Sequence, residues 1–594
     1  MNPEQPKDKF SELRLLGAAL LCMVVVIIWT KYFGPKPSLT PTKGSQATQN
    51  APATSGTKQG NPPATSESSP AKTAMPSTVH AAAATTTPAK SAAQERTIVV
   101  ENDLYRVEFS NRGAVVKSWQ LKKYQDDNKP PRTLDVVHPQ VSEQTGGWPM
   151  AVVLDNEDWE KAANSGLYEA NATGGQLHAP TDLEFSWSDG HVAVTKRFHF
   201  DHTYVVRIDT AVTVDGKPVR AGMAWLGGFG DLTVTNPIPI ETVEIFYAEN
   251  GKITVIPHKK LEPIEKWPPG VWQGGKDYAG IEDRYFAAAF LPPNGSAPQS
   301  LQIRYWKGSY NYKQDNQDKA EDVPQIATAK SDEPLNVRLY VGPKDYDDLK
   351  KMNPPLQGLV NFGWLEFIAD PLFHLLKWIH GWVPNWGWAI VVLTLALNMV
   401  LFPLRISSYR TTLKMQRVAP EIKSIQDRYK KYKMNDPRKA EMNKEVMAVY
   451  QREGVNPVGG CIPQLLQFPI WFGLYRALQG TIELRHAPWF WWVTDLSAKD
   501  PYYILPLLMG VSMYFSSKMT PMTSTDPQQQ AMMKFMPISM AALFIIIPYP
   551  SGLAVYILTS GLVGILQQWY LNKKHPAAAV VPAKAARGKQ GKKS

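Results

Sequence analysis

The stretch Trp386-Gly387-Trp388-Ala389-Ile390-Val391-Val392-Leu393-Thr394-Leu395-Ala396-Leu397-Asn398-Met399-Val400-Leu401-Phe402-Pro403-Leu404 contains no charged residue and is followed at once by Arg405 and then Arg410. An α-helix of about 20 apolar residues crosses the hydrocarbon core of a bilayer, so the stretch predicts a membrane span. Within it Thr394 and Asn398 lie one helical turn apart and share a face. Polar groups in hydrocarbon are costly unless partners or water satisfy them. What those two residues meet therefore decides what the span is for.

Towards the C-terminus, further apolar runs predict spans at about 461–478, 502–515, 535–548 and 552–571. The runs at 502–515 and 535–548 are short for a full crossing, which favours local thinning of the bilayer or snorkelling flanks such as Lys518 and Lys534. Residues 405–455 are charged instead. Met415, Val418, Ile422 and Ile425, then Met442, Val446, Val449 and Tyr450, recur at helical spacing on either side of Asn435-Asp436-Pro437. That pattern predicts a helical hairpin with a coiled-coil-like seam.

Towards the N-terminus, residues 360–385 are rich in aromatics, including Trp364, Phe367, Phe373, Trp378 and Trp382. Such segments favour the headgroup layer, and an interfacial amphipathic helix is expected there. Residues 96–345 change to short alternating runs such as Tyr105-Arg106-Val107-Glu108-Phe109 and His191-Val192-Ala193-Val194-Thr195, punctuated by Gly, Asn and Asp. This is the pattern of a large β-sandwich. Residues 34–95 are dominated by Pro, Ala, Thr, Ser and Gln, cannot bury a core, and read as a disordered tether. Residues 1–33 hold an apolar run from Leu15 to Trp29, followed by Gly34-Pro35-Lys36-Pro37 rather than by a small-residue cleavage site. An uncleaved signal anchor is expected. The two cysteines, Cys22 and Cys461, lie in or beside apolar runs and suggest packing residues rather than a disulfide framework.

The mean hydropathy of −0.28 looks nearly soluble only because the tether and the β region dilute the membrane half. The net charge of +11 is unevenly placed. Arg405, Arg410, Lys414, Arg417, Lys423, Arg428, Lys430, Lys431 and Lys433 crowd the hairpin, whereas the loop around 483–499 is nearly balanced and aromatic. The positive-inside bias puts the hairpin in the cytoplasm. Counting spans then places both termini inside, with Lys573, Lys574, Lys584, Arg587, Lys589, Lys592 and Lys593 in a basic cytoplasmic tail at 572–594. The β region falls outside. Basic surfaces of this kind meet a ribosome or anionic lipid.

With that orientation the polar residues of the spans share one depth. Thr394 and Asn398, then Gln464 and Gln467, Ser512, Ser516 and Ser517, Ser539, and Gln567 and Gln568 all fall at the midplane or on its cytoplasmic side. The outer halves, such as Leu543-Phe544-Ile545-Ile546-Ile547, are apolar. A through-channel needs polar lining along its full depth. A pattern that stops halfway predicts a wet cavity open to the cytoplasm, suited to carrying a polar segment partway into the bilayer.

Other classes fit less well. His199-Phe200-Asp201-His202 offers an acid–base or metal group on one strand face, but it reads as a strand end and turn. No nucleotide loop, zinc-helix signature or nucleophile elbow is found, so no catalytic residue, metal, cofactor or small-molecule substrate is expected. A transporter would favour acidic residues in the spans, and these contain no Asp or Glu. A periplasmic binding module needs only an anchor, not a polar layer.

Several irregular strings resemble a known family. They are Asn456-Pro457-Val458-Gly459-Gly460-Cys461-Ile462-Pro463, Gln467-Phe468-Pro469-Ile470, the run from Asp495 to Pro506, Pro550-Ser551-Gly552-Leu553, and the run from Pro371 to His380. The chain resembles the YidC membrane protein insertases, the bacterial branch of the YidC/Oxa/Alb family. The resemblance implies a mixed fold: a polytopic α-helical membrane bundle, with a five-span core at 386–571 plus the signal-anchor span. A large periplasmic all-β supersandwich domain, similar to sugar mutarotases, and a cytoplasmic helical hairpin complete it. It implies nascent membrane proteins as clients, the Sec translocon as an occasional partner, a hydrophilic groove, and a slide for the client helix.

Carried onto this chain, the groove comprises Thr394, Asn398, Gln464, Gln467, Ser512, Ser516, Gln567 and Gln568, and the slide comprises Phe468, Trp471 and Tyr556. One departure stands out. Relatives carry an arginine where this chain has Asn398, so the groove lacks its usual charge at that depth. Arg405, about two turns further on the same face, is the candidate replacement cation. Ile557 stands where relatives often have a second tyrosine after Tyr556.

Overall fold

The structure is a computed structural model that describes residues 88–172, 174–233, 243–266, 271–296, 300–314, 317–329, 334–432, 436–455, 462–520, 535, 539–540, 542–546 and 549–575. The expected signal anchor, nearly all of the tether, both cysteines and the tail from 576 onward lie outside the described residues. So do residues 536–538, 541, 547 and 548 of the expected 535–548 span.

The β region forms three sheets. The largest has ten strands and is antiparallel throughout, with Val192–Phe200, Val205–Val214 and Leu335–Pro343 side by side near its middle. A five-stranded sheet contains Thr97–Glu101, Tyr105–Ser110 and Val115–Gln125, and another is built on the long hairpin Leu301–Gln314 and Gln317–Ala329. Alternating inward residues interdigitate between sheets. Tyr105, Phe109, Trp119, Phe185, Phe198 and Trp225 meet in one aromatic core, with Phe109 and Phe198 at 5.0 Å between ring centroids. The last residues of the expected tether already touch this domain, because the Lys90 backbone pairs with Ser188.

Strict alternation also forces one exception. In Val192–Phe200 the inward set is Val192, Val194, Lys196, Phe198 and Phe200, so a lysine is fully buried. Its ammonium donates to the carbonyls of Gly113 at 2.7 Å, Met150 at 2.8 Å and Ala114 at 3.2 Å. Burial pushes this lysine down to about 7.

The bundle helices are α1 (Glu366–His380), α2 (Trp386–Arg428), α3 (Arg438–Arg452), α4 (Ile462–Gln479), α5 (Ile504–Met519) and α6 (Ser551–Lys574). Helix α1 is amphipathic: Ala369, Leu372, Phe373, Leu376 and Ile379 are buried, while Phe367, Trp378 and the following Trp382 are exposed. Helix α2 opens on an Asn385 cap that accepts from the Trp388 amide. It then runs for 43 residues through Pro403 and Pro420. At 1.5 Å per residue that is about 65 Å, twice the hydrocarbon thickness. The span and the first arm of the hairpin are therefore one rod, with no break at residue 405. Helix α3 returns along it, and Val418, Ile422, Ile425 and Val449 form the seam with Met442, Val446 and Tyr450 packed alongside. Arg428 pairs with Glu445 at 2.5 Å and Arg452 with Glu421 at 2.6 Å.

Helices α2 and α6 are each long and apolar enough to cross a membrane. Helix α5 is 16 residues, about 24 Å, and so short of a typical hydrocarbon core. At its end Lys518 lies over Tyr514, and at the end of α6 Lys573 and Lys574 lie over Trp569 and Tyr570. Aromatic rings with basic neighbours at helix ends are the usual interfacial arrangement.

Candidate functional site

The bundle has two halves of different chemistry. The half next to the β domain is an apolar plug. Ala389, Ile390 and Leu393 of α2, Leu474 and Leu478 of α4, Leu505 and Met509 of α5, and Leu553 to Tyr556 of α6 are buried together with Leu372, Leu376 and Ile379 of α1. Close approach there depends on Gly387, because a methyl group added to it would sit 2.1 Å from the Trp489 ring.

The half next to the hairpin carries a polar layer. Asn398 Nδ2 donates to the Thr394 carbonyl at 2.8 Å and reaches the Ser560 hydroxyl at 3.3 Å. Gln467 Nε2, from α4, reaches the same hydroxyl at 3.4 Å. Ser560 thus joins three helices. One to two turns further, Gln567 Nε2 donates to the Asn398 carbonyl at 3.2 Å, while its Oε1 accepts from Arg405 at 2.5 Å. The Arg405 guanidinium lies against bare backbone at Gly564, where an added methyl group would stand 3.1 Å from it. At the hairpin end, Asn572 Oδ1 accepts from the Tyr409 hydroxyl at 2.7 Å and from Gln568 at 3.0 Å, and its Nδ2 donates to the Met519 carbonyl at 3.0 Å. That last bond satisfies one of the orphan carbonyls at the end of α5.

Two family models and many curated relatives match the chain. The model of the YidC periplasmic domain matches residues 97–375, and the model of the 60Kd inner membrane protein matches residues 378–578. A membrane protein insertase YidC of Geobacter metallireducens is 33% identical over 581 residues, covering 96% of this chain and 99% of the relative. The chain belongs to the YidC membrane protein insertase family. Another YidC, from Geotalea daltonii, is 31% identical over 584 residues, covering 95% of this chain and all of the relative. A crystal structure titled as an active YidC insertase with its first transmembrane domain resolved is 17% identical, covers 82% of this chain and 95% of its own, and has a TM-score of 0.33.

As a member of the YidC family the chain is an inner-membrane protein, with a large β domain of the family's periplasmic type and an apolar helical region. The family is one of insertases, not enzymes. In the motif at 199–202, His199 pairs with Asp182 on the neighbouring strand, and Asp201 caps its own turn through Thr203.

Of the site residues expected from the sequence, the structure brings Asn398, Gln467, Gln567 and Arg405 together. Thr394 is fully buried but turns its hydroxyl back to the Ile390 carbonyl at 2.6 Å, so it does not reach the layer. Ser512 likewise bonds the Met509 carbonyl at 2.8 Å and packs at Gly561, a small-residue contact between α5 and α6. Ser516 is half-buried and Ser517 exposed. Gln568 serves the Asn572 knot. The side chain of Gln464 lies outside the described residues, as do Lys584, Arg587, Lys589, Lys592 and Lys593.

The slide residues do not form one surface. Phe468 is 42% exposed and packs at a tilt against the rings of Trp471 and Phe472, whereas Tyr556 is 3% exposed inside the apolar plug. Sequence reasoning missed Ser560, Tyr409 and Asn572. A signal for the first existed: Ser560, Gly564 and Gln567 are spaced by four and then three, a small and polar stripe on one face of α6.

Proposed function

We propose that this chain inserts nascent membrane proteins into the inner membrane by receiving their polar segments in the layer around Ser560 and releasing their apolar helices sideways into lipid. The observation that carries this reading is the change of chemistry along the bundle. Polar side chains from α2, α4 and α6 converge on Ser560 and Gln567, and an apolar plug closes the half beyond them. A segment entering such a layer exchanges water for protein hydrogen bonds, which lowers the cost of bringing it partway into hydrocarbon.

In this reading the hairpin half faces the cytoplasm, both termini lie on that side, and the β domain is outside. The basic crowd on α2 and the tail supports this orientation. Arg405 supplies the layer's positive charge, about 10 Å nearer the cytoplasm than Asn398 at seven residues of helix rise. Phe468 and Trp471 offer the client helix an aromatic surface open to lipid. Tyr556, inside the plug, positions neighbouring helices instead of touching the client. The hairpin, Lys573, Lys574 and the tail meet the ribosome or anionic lipid. The chain works alone on small clients and beside the Sec translocon on larger ones.

Photo-crosslinking tests the path. A benzophenone side chain at Gln467 or Ser560 is expected to capture a ribosome-held client segment, and one at Leu474 in the plug is not. Capture at Leu474 alone would remove the half-depth reading.

A further inference from the structure

The bundle and the β domain meet at residues 479–486, the loop that follows α4. Arg485 is at the centre. Its side chain is 3% exposed, donates to the Gln125 carbonyl at 2.8 Å, and pairs with Asp231, whose side chain is 2% exposed. Asp127 lies 3.9 Å away, and the guanidinium stands over the rings of Phe286 at 5.3 Å and Tyr285 at 5.7 Å.

The partner is itself fixed. The Thr233 amide and hydroxyl donate to Asp231 Oδ1 at 2.9 and 2.5 Å, and the Asp231 amide donates to Asp283 at 2.9 Å. Next to Arg485, His486 takes a left-handed backbone (φ 56°) and sets Nε2 2.8 Å from Asp127. From the other side, Arg284 of the β domain donates to the carbonyl of Gln479, the last residue of α4, at 2.7 Å. Lys377 of α1 bridges Asp347 at 2.7 Å and Glu483 at 3.0 Å. Apolar contact is continuous as well, since Ala369, Phe373, Ala477 and Ile482 belong to the same buried cluster as the β-domain core.

A domain that merely hung from the bundle would need none of this. Taking an ion pair out of water is expensive, and such pairs serve best to fix one geometry against near alternatives. The element held here is the outer end of α4, whose inner part carries Gln467, Phe468 and Trp471. From Gln479 to Gln467 is twelve residues, about 18 Å of helix. A tilt of about 10° at the clamped end moves Gln467 by about 3 Å at that rise per residue. That displacement breaks a hydrogen bond such as the one to Ser560, which is already 3.4 Å.

We propose that the β domain is a brace that sets the tilt of α4, and that Arg485 is the positioning residue of that brace. The functional half of the proposal rests on the polar layer being the client's path. The geometric half stands without it.

The test uses the full chain in liposomes, with Cys22 and Cys461 replaced by serine and spin labels at Lys217 and Phe468. Four proteins are compared: the parent, Arg485→Met, Arg485→Lys, and Arg485→Met with Asp231→Asn, which leaves no buried carboxylate unpaired. The label-to-label distance distribution is read for each labelled protein, and the insertion rate of a small client is read for the same four proteins without the cysteine replacements or the labels. Both methionine variants are expected to broaden the distribution and slow insertion about fivefold, and lysine to restore most of both. An unchanged distribution in the double variant overturns the brace. A broadened distribution with full insertion overturns its use in the reaction. If the parent itself inserts nothing, the functional reading fails, and the distance arm still decides the clamp.

Discussion

Replacing Arg405 by glutamine isolates the charge of the polar layer. The arginine donates to Gln567 at 2.5 Å and lies against Gly564, so it is held in place before any client arrives. Glutamine keeps an amide able to pair with Gln567 but removes the positive charge. A charge-assisted hydrogen bond contributes about 1.5–3 kcal/mol, and each 1.4 kcal/mol is about tenfold in an equilibrium. A client carrying an aspartate in its translocated segment is therefore expected to insert about ten- to hundredfold more slowly into Arg405→Gln proteoliposomes. The same client with asparagine at that position should change by less than about twofold, because neutral hydrogen bonding differs little on this scale. Protease protection of radiolabelled client reports both rates. Adding Asn398→Arg to the glutamine variant should restore the aspartate client, since it returns a cation to the same helix face about two turns deeper. Equal slowing of both clients, or slowing of neither, would show that Arg405 is a structural strut and that the layer works without charge.

Three more outcomes follow from the same contacts. Ser560→Val removes the hydroxyl shared by Asn398 and Gln467, and unsatisfied buried groups cost about 1–3 kcal/mol each. Thermal unfolding of the bundle in detergent should fall by several degrees, whereas an unchanged midpoint would mean that Ser560 is no hub. Gly387→Ala sets a methyl group into the Trp489 ring and should destabilise by about 1–3 kcal/mol as an overpacked contact, with a shift in tryptophan emission. For the β domain, burial holds Lys196 at about 7, below the roughly 10.4 of an exposed lysine. Between those values the unfolded chain binds the extra proton, so stability should rise with pH from about 7 to 10, by on the order of a few kcal/mol. Near-UV circular dichroism of the full chain during denaturation at each pH reads the slope, and Lys196→Met should flatten it.

The sequence declared some of this plainly and hid the rest for physical reasons. Apolar runs and the hairpin seam are local signals, so Val418, Ile422, Ile425, Met442, Val446, Val449 and Tyr450 could be read from spacing alone. The continuity of α2 through Pro403 and Pro420 was not readable, because proline signals a break and only packing overrides it. That Asn398, Gln467 and Gln567 belong to one layer of the bundle was legible, but whether a hydroxyl points across to another helix or back to its own backbone was not. Thr394 and Ser512 chose their own helices, and Ser560 chose its neighbours. Lys196 keeps the alternation of faces but puts a polar group on the apolar one, and the three carbonyls that satisfy it come from segments remote in sequence. The clamp at Arg485 joins residues 254 apart in sequence, beyond the reach of any periodicity.

The most direct measurement is insertion of a small, short-tailed membrane protein into liposomes with and without the purified chain, scored by protease protection. The account predicts insertion that depends on the chain, is lost with Ser560→Val together with Gln467→Leu, and survives replacement of the exposed Ser517 by alanine. Equal insertion into empty and protein-bearing liposomes would contradict it.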